Sequence, residues 1–243
     1  MHKKKKQTNP WAWAVAPLWL FIILALLMTS LRLTINSRAY FYRTYERMDI
    51  QTQIGISAEN SADAIMAMID YMEGKRESIQ LTVREYGQTV EMFNQQEIDH
   101  MKDVRALYQA FIRLQYGGIG GFAALACLLA LEARRKTDTA KFGLTGAVLG
   151  GWWRALAAFG VMLVAIGTYA LVDFYDFWTR FHYIFFTNDL WLMDYDACRM
   201  IRICPLGLFS GIIARFTALA LGGMALLSAW AVRIGRIEKR KTA

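Results

Sequence analysis

The sequence predicts an all-α membrane protein with four transmembrane helices and a small, mostly helical extracytoplasmic domain between spans one and two. Three observations carry this. Of its 243 residues, 56% are hydrophobic and 20% charged. That is too apolar for an ordinary soluble domain and too charged for a wholly buried bundle. The apolar residues gather in four long runs, and the charges between those runs divide by sign.

The runs are Trp11 to Leu31, Tyr116 to Leu131, Trp152 to Val172 and Leu206 to Val232. A hydrocarbon core of roughly 30 Å needs about 20 apolar residues in a helix. The second run is short by that measure, but Phe111, Ile112 and Leu114 extend it. Lipid-exposed backbone must hydrogen-bond within its own segment, so each run is expected to be helical. The first run follows Lys3 to Lys6, as a signal peptide's apolar stretch would. It exceeds the usual length of such a stretch, and Met28-Thr29-Ser30-Leu31-Arg32 is a poor cleavage site, so an uncleaved anchor is expected.

Orientation follows from lysine and arginine. The N-terminal tail, the segment between the second and third runs (Arg134, Arg135, Lys136, Lys141, Arg154) and the C-terminal tail (Arg233, Arg236, Lys239, Arg240, Lys241) hold half of the 28 basic residues. Their only acids are Glu132, Asp138 and Glu238. Both termini are therefore expected in the cytoplasm. The net charge of +8 reads as a topology signal, and nucleic-acid binding explains it poorly. The expected order is a basic tail 1–10, span 11–33, an extracytoplasmic domain 34–114, span 115–132, a cytoplasmic loop 133–153, span 154–172, an aromatic interfacial loop 173–205, span 206–231 and a basic tail 232–243.

Within 34–114, Tyr40-Phe41-Tyr42-Arg43 has the aromatic and basic character of a membrane interface. Ser61 reads as the N-cap of a short amphipathic helix carrying Ile65, Met66, Met68, Ile69 and Met72, and Gly74 ends it. Ile79, Leu81 and Val83 alternate before Gly87, with Val90 and Phe93 beyond, which predicts a small hairpin. Asn94 and Glu97 form a capping-box pattern for a helix that has no breaker before Gln115. Cys127 lies in a span, and Cys198 and Cys204 could pair or stay free.

Chemistry points to histidine. His2 lies in the basic tail, whereas His100 and His182 both fall on the extracytoplasmic side of this topology. Imidazole handles protons near neutral pH. Glu97, His100 and Asp103 share one helix face, so either carboxylate could orient the ring, although ordinary charge pairing at a helix end gives the same pattern. Asn188 could donate to an oxyanion, and it or Asp189 could instead cap a turn. Two histidines with a carboxylate could also bind a metal, but no HExxH or HxH pair supports that. A serine hydrolase is disfavoured because Gly-x-Ser-x-Gly is absent.

Two stretches carry a resemblance. Gln96-Glu97-Ile98-Asp99-His100-Met101-x-Asp103-Val104 and Phe181-His182-x-x-Phe185-Phe186-x-Asn188-Asp189-x-Trp191-x-Met193-Asp194 resemble the two signature regions of the bacterial lipoprotein intramolecular transacylases. One departure is Tyr195, where that pattern has proline, which affects the turn and the roles of Asp194 and Asp196. The resemblance implies four membrane helices and movement of an acyl chain from a diacylglyceryl ester to the α-amino group of a lipoprotein's N-terminal cysteine, giving a lyso-form product. It places the family's two histidines at His100 and His182.

The residues suit that chemistry. The substrate's own amine is the nucleophile, so no serine or cysteine nucleophile and no cofactor is needed. His182 is expected to be the base and His100 a stabilising or proton-returning group, with the reverse assignment also open. Glu97, Asp103, Asn188 and Asp189 are expected to orient or support the site, and Phe181, Phe185, Phe186 and Trp191 to border an acyl groove. The expected partners are a diacylglyceryl lipoprotein and membrane lipids, with no nucleic acid, and the chain is expected to act as a monomer. Two rival classes are a non-catalytic sensor or binding protein using residues 34–114, and a metal-dependent membrane hydrolase.

Overall fold

The computed structural model describes residues 11–135 and 138–241. The lysine run 3–6, His2 and Lys136 lie outside the described residues. Among those described, the helices are α1 (Trp11–Ile35), α2 (Arg38–Arg47), α3 (Ile50–Ile54), α4 (Ala58–Met72), α5 (Gln95–Arg135), α6 (Asp138–Val172), α7 (Phe174–Phe185), α8 (Arg199–Arg202) and α9 (Leu206–Lys241), with strands β1 (Thr82–Glu85) and β2 (Gln88–Glu91). Segments of α1, α5, α6 and α9 are long and apolar enough to cross a membrane: Val15–Ile35, Gln95–Leu128, Thr145–Val172 and Leu206–Ile237. The chain is an all-α, multi-pass membrane protein.

The chain forms two compact units. The first combines the described parts of 1–28, 113–174 and 220–243. Its core is Val15, Trp19 and Ile23 against Trp152, Ala155, Phe159, Met224 and Ala231. Both buried indoles find acceptors: Trp19 donates to the Val148 carbonyl at 2.9 Å and Trp152 to the Ser228 hydroxyl at 3.2 Å. Gly151 lets α6 lie on α1, since a Cβ there would meet Trp19 and Val15 at 3.2 Å. Such close approach is how helices gain dispersion contacts in lipid, where no hydrophobic force separates them from the chains around. Arg154, the charge that interrupts the third apolar run, donates to the Gly150 carbonyl and lies over the Trp13 ring at 4.9 Å.

The second unit combines 29–112 and 175–219. Its core holds Phe41, Tyr45, Ile50, Ile56, Ile79, Met92, Phe93, Met101, Ile203 and Leu208. The Tyr45 hydroxyl donates to the Ile203 carbonyl at 2.6 Å, tying α2 to the turn before α9. Burial pushes that phenol well above its ordinary pKa, so it remains a donor. Ser57, not Ser61, caps α4, accepting from the Asn60 amide at 3.2 Å. Ser57 follows left-handed Gly55 and is extended, so the helix begins one turn earlier than the sequence reading placed it, and Ser61 is fully buried. α4 closes as a Schellman turn at Gly74 (φ +78), with Lys75 donating to Asp70 and Gly74 to Tyr71.

The hairpin β1–β2 is antiparallel, with Val83 opposite Val90. Its two turn residues, Tyr86 and Gly87, both have positive φ, as a two-residue hairpin turn requires. Glu85 accepts from Arg199 at 2.6 Å and Arg202 at 2.9 Å, which fastens the hairpin to α8. Two segments expected as loops contain helix. Most of 133–153 belongs to the ends of α5 and α6, and the aromatic segment 173–205 opens with α7. Cys198 and Cys204 are free thiols.

Candidate active site

α5 starts with reciprocal capping. The Glu97 amide donates to the Asn94 side chain at 3.0 Å, and the Glu97 carboxylate accepts the Asn94 amide at 2.7 Å. The other carboxylate oxygen accepts the Met200 amide at 2.6 Å. Glu97 is fully buried and both its oxygens are committed to backbone, so it fixes the start of α5 against α8 and does not orient His100.

The next turns present Gln96, His100 and Asp103 along one face. Gln96 donates to the carbonyls of Leu190 and Leu192 at 3.1 and 3.0 Å. Asp103 accepts from the Asn188 amide at 2.9 Å. The loop after α7 is thus stitched to α5 on either side of His100. Asn188 also accepts the Leu190 amide at 3.1 Å. Its side chain therefore holds the loop and Asp103 rather than standing free as a donor. Asp189 is exposed and contributes its backbone carbonyl to Leu192. Asp194 folds the turn expected to depend on proline: its carboxylate accepts the Asp196 and Ala197 amides at 2.8 and 3.0 Å.

α7 delivers His182 in its last turn, 5% exposed. Its Nδ1 lies 2.7 Å from the Trp178 carbonyl oxygen one turn earlier. A carbonyl only accepts, so Nδ1 carries a proton, and this contact selects the tautomer whose lone pair is on Nε2. Trp191 stacks on this ring at 4.7 Å and 25°, and Trp178 meets it edge-on at 4.5 Å. The His100 ring is centred 6.3 Å from that of His182, and Phe186 touches both, at 5.3 and 5.6 Å. Phe181 and Phe185 pack together at 4.9 Å, and Phe185 reaches Phe111 at 6.2 Å.

Two buried polar atoms here have no hydrogen-bond partner among the described residues, His100 Nδ1 and Trp191 Nε1. Buried polar groups are satisfied in the great majority of cases, so the two atoms are free to meet a polar group. Among the described residues no three His, Cys, Asp or Glu side chains stand together as metal ligands would. Sequence reasoning missed Gln96 and Trp178. Gln96 was within reach, since it sits one turn before His100 on the face shared with Asp103. Trp178 acts through its carbonyl, which leaves no mark on residue type.

The family model of lipoprotein intramolecular transacylase Lit matches residues 17–209. The chain belongs to this family. As a lipoprotein transacylase family member it is an acyltransferase by kinship, and its fold agrees. The solved structure of the membrane-integral lipoprotein intramolecular transacylase Lit from Bacillus cereus superposes with a TM-score of 0.64 at 14% identity, covering 93% of this chain and 98% of the other. Two structures of Bacillus cereus Lit carrying a histidine substitution each give a TM-score of 0.65 at 14% identity and cover 93% of this chain, with 94% and 96% of the other. No curated protein matches the sequence significantly.

Proposed function

We propose that this transacylase moves an acyl chain from the diacylglyceryl ester of a lipoprotein to the α-amino group of the same molecule's N-terminal cysteine. The amine nitrogen attacks the ester carbonyl carbon. As the C–N bond forms, the ammonium proton passes to Nε2 of His182. The C–O bond to glycerol then breaks, and the proton returns to the leaving alkoxide as a hydroxyl. The product is an amide and a lyso-glyceryl chain, with no atom gained or lost.

The observation that carries this reading is the bond from His182 Nδ1 to the Trp178 carbonyl, which aims a basic nitrogen away from its own helix beside a second imidazole. An α-amino group has a pKa of about 8, within reach of an imidazole base. His100, held beside Asp103, is the stabilising or proton-returning group. The Trp191 N–H offers the substrate carbonyl a donor that no protein acceptor occupies. Phe181 and Phe185 border the path of the acyl chains. Holding amine and ester in reactive geometry can itself contribute about 7–11 kcal/mol, which suits an enzyme with no nucleophile of its own. The arrangement of basic residues supports a topology with both termini in the cytoplasm and this site on the opposite face.

The test is expression in a bacterium whose lipoproteins are diacylated, followed by tandem mass spectrometry of their N-terminal peptides. Intramolecular transfer leaves the mass unchanged, so the diagnostic is a fragment carrying the acyl group on the cysteine nitrogen. Its absence with well-folded protein present would overturn the reading.

A further inference from the structure

α2 has two unlike flanks. On one, Arg38 is paired with Asp63 at 2.6 Å and Glu59 at 3.5 Å, and the Tyr42 hydroxyl meets Glu46. On the other, Tyr40, Arg43 and Arg47 follow at three- and four-residue steps and form one stripe. There the Arg215 guanidinium, from α9, sits 4.1 Å above the Tyr40 ring. Gly211, one turn before Arg215, admits the Tyr40 hydroxyl so closely that a Cβ would stand 2.6 Å from it. Tyr40 therefore lies along α9 and brings Arg215 to the stripe. Arg47 donates to the Arg43 carbonyl, and among the described residues no carboxylate pairs with Arg43, Arg47 or Arg215, all three exposed.

The position of Arg215 gives this cluster a level in the bilayer. The stretch of α9 from Phe216 to Val232 is uncharged and ends at Arg233. At ~1.5 Å per residue, Arg215 and Arg233 are about 27 Å apart along the helix, close to one hydrocarbon thickness. Arg215 thus lies toward the non-cytoplasmic end of this span, within reach of the headgroup layer. An arginine at that depth is costly unless it meets an anion or reaches water. Three exposed guanidiniums, one of them over an aromatic ring, offer forked N–H donors to a phosphodiester.

We propose that Arg215, seated over Tyr40, together with Arg43 and Arg47 of the same α2 stripe, binds the phosphate of an anionic phospholipid. Such a lipid is not the substrate, whose diacylglyceryl group is joined by a thioether and carries no phosphate. Its role would be to seat α2 and the domain above it on the membrane surface.

The test is native mass spectrometry of the purified full-length protein, offered phosphatidylglycerol and phosphatidylcholine in equal amounts. The expected result is preferential retention of phosphatidylglycerol, reduced several-fold in Arg215→Gln and in Arg47→Gln but unchanged in Arg38→Gln. Arg47 is exposed, so its variant keeps the test open if Arg215→Gln folds poorly. Equal retention of the two lipids, full retention by the Arg47 variant, or displacement of the lipid by millimolar inorganic phosphate would overturn the proposal.

Discussion

Nδ1 of His182 lies 2.7 Å from the carbonyl oxygen of Trp178, one turn back on the same helix. That single bond chooses the tautomer and leaves Nε2 as the basic nitrogen. It also predicts which substitution separates fold from chemistry. Glutamine at 182 can still donate to the Trp178 carbonyl but has no basic nitrogen. His182→Gln is expected to keep its thermal unfolding midpoint near that of the parent and to lose about 10²–10⁴-fold in acyl transfer. Retained activity measured on purified protein would remove His182 from the base role.

Trp191 tests the second polar atom. Trp191→Phe keeps a ring on His182 but removes an N–H that no protein group accepts. Losing an unsatisfied donor costs no native hydrogen bond, so stability is expected to hold. If that N–H meets the developing oxyanion, kcat is expected to fall on the order of 10²-fold with KM little changed. An unchanged kcat would leave Trp191 only a packing role.

Asp103 and Asn188 are expected to act as one unit. Their 2.9 Å bond ties the His182-bearing segment to the helix of His100. Asp103→Ala and Asn188→Ala should each slow transfer, and the double variant should be no worse than the poorer single one. A double-mutant cycle on kcat/KM should give a coupling of about 1–2 kcal/mol. Simple additivity would mean that the bond does not position the site.

Much of this arrangement was written locally in the sequence. Asn94 and Glu97 announce a capping box because both partners lie within one turn, and Gly74 announces a helix end because its backbone needs positive φ. The four spans follow from apolar length alone. Other features are tertiary and left no local sign. Glu97 looked like a partner for His100 by spacing, yet the Met200 amide, far along the chain, takes its second oxygen. α7, by contrast, is legible in its spacing: Phe174, Phe177, Trp178, Phe181 and Phe185 lie on one side of the helix, opposite Asp176, Thr179 and Arg180, and the expectation of a loop rested on the density of rings instead. Ser57 and Ser61 are equally good caps by type, and only the left-handed Gly55 decides between them.

Acid stability provides a further check, through Glu73. Burial opposes its charge, but hydrogen bonds from Lys75, Asn36 and Arg32 outweigh this and hold its pKa at about 2. A carboxylate with a depressed pKa stabilises the fold above its unfolded value, and that contribution fades as pH falls through the folded one. Between about pH 4.5 and 2 the protein should therefore lose roughly 1–3 kcal/mol from this group. Glu73→Gln should be less stable near neutrality and show a shallower fall over that window. Denaturant unfolding of the second unit's core, followed by tryptophan-independent circular dichroism at several pH values, reads both.

The central claim is that amine and ester belong to one substrate molecule brought together beside His182. Mixing two lipoprotein populations tests it, one with deuterated ester chains on an unlabelled peptide and one with unlabelled chains on a ¹⁵N peptide. After incubation with the purified transacylase, tandem mass spectrometry should find N-acylated cysteine carrying only parental combinations of labels. Deuterated acyl groups on ¹⁵N peptides, or no N-acylated fragment at all, would contradict the account.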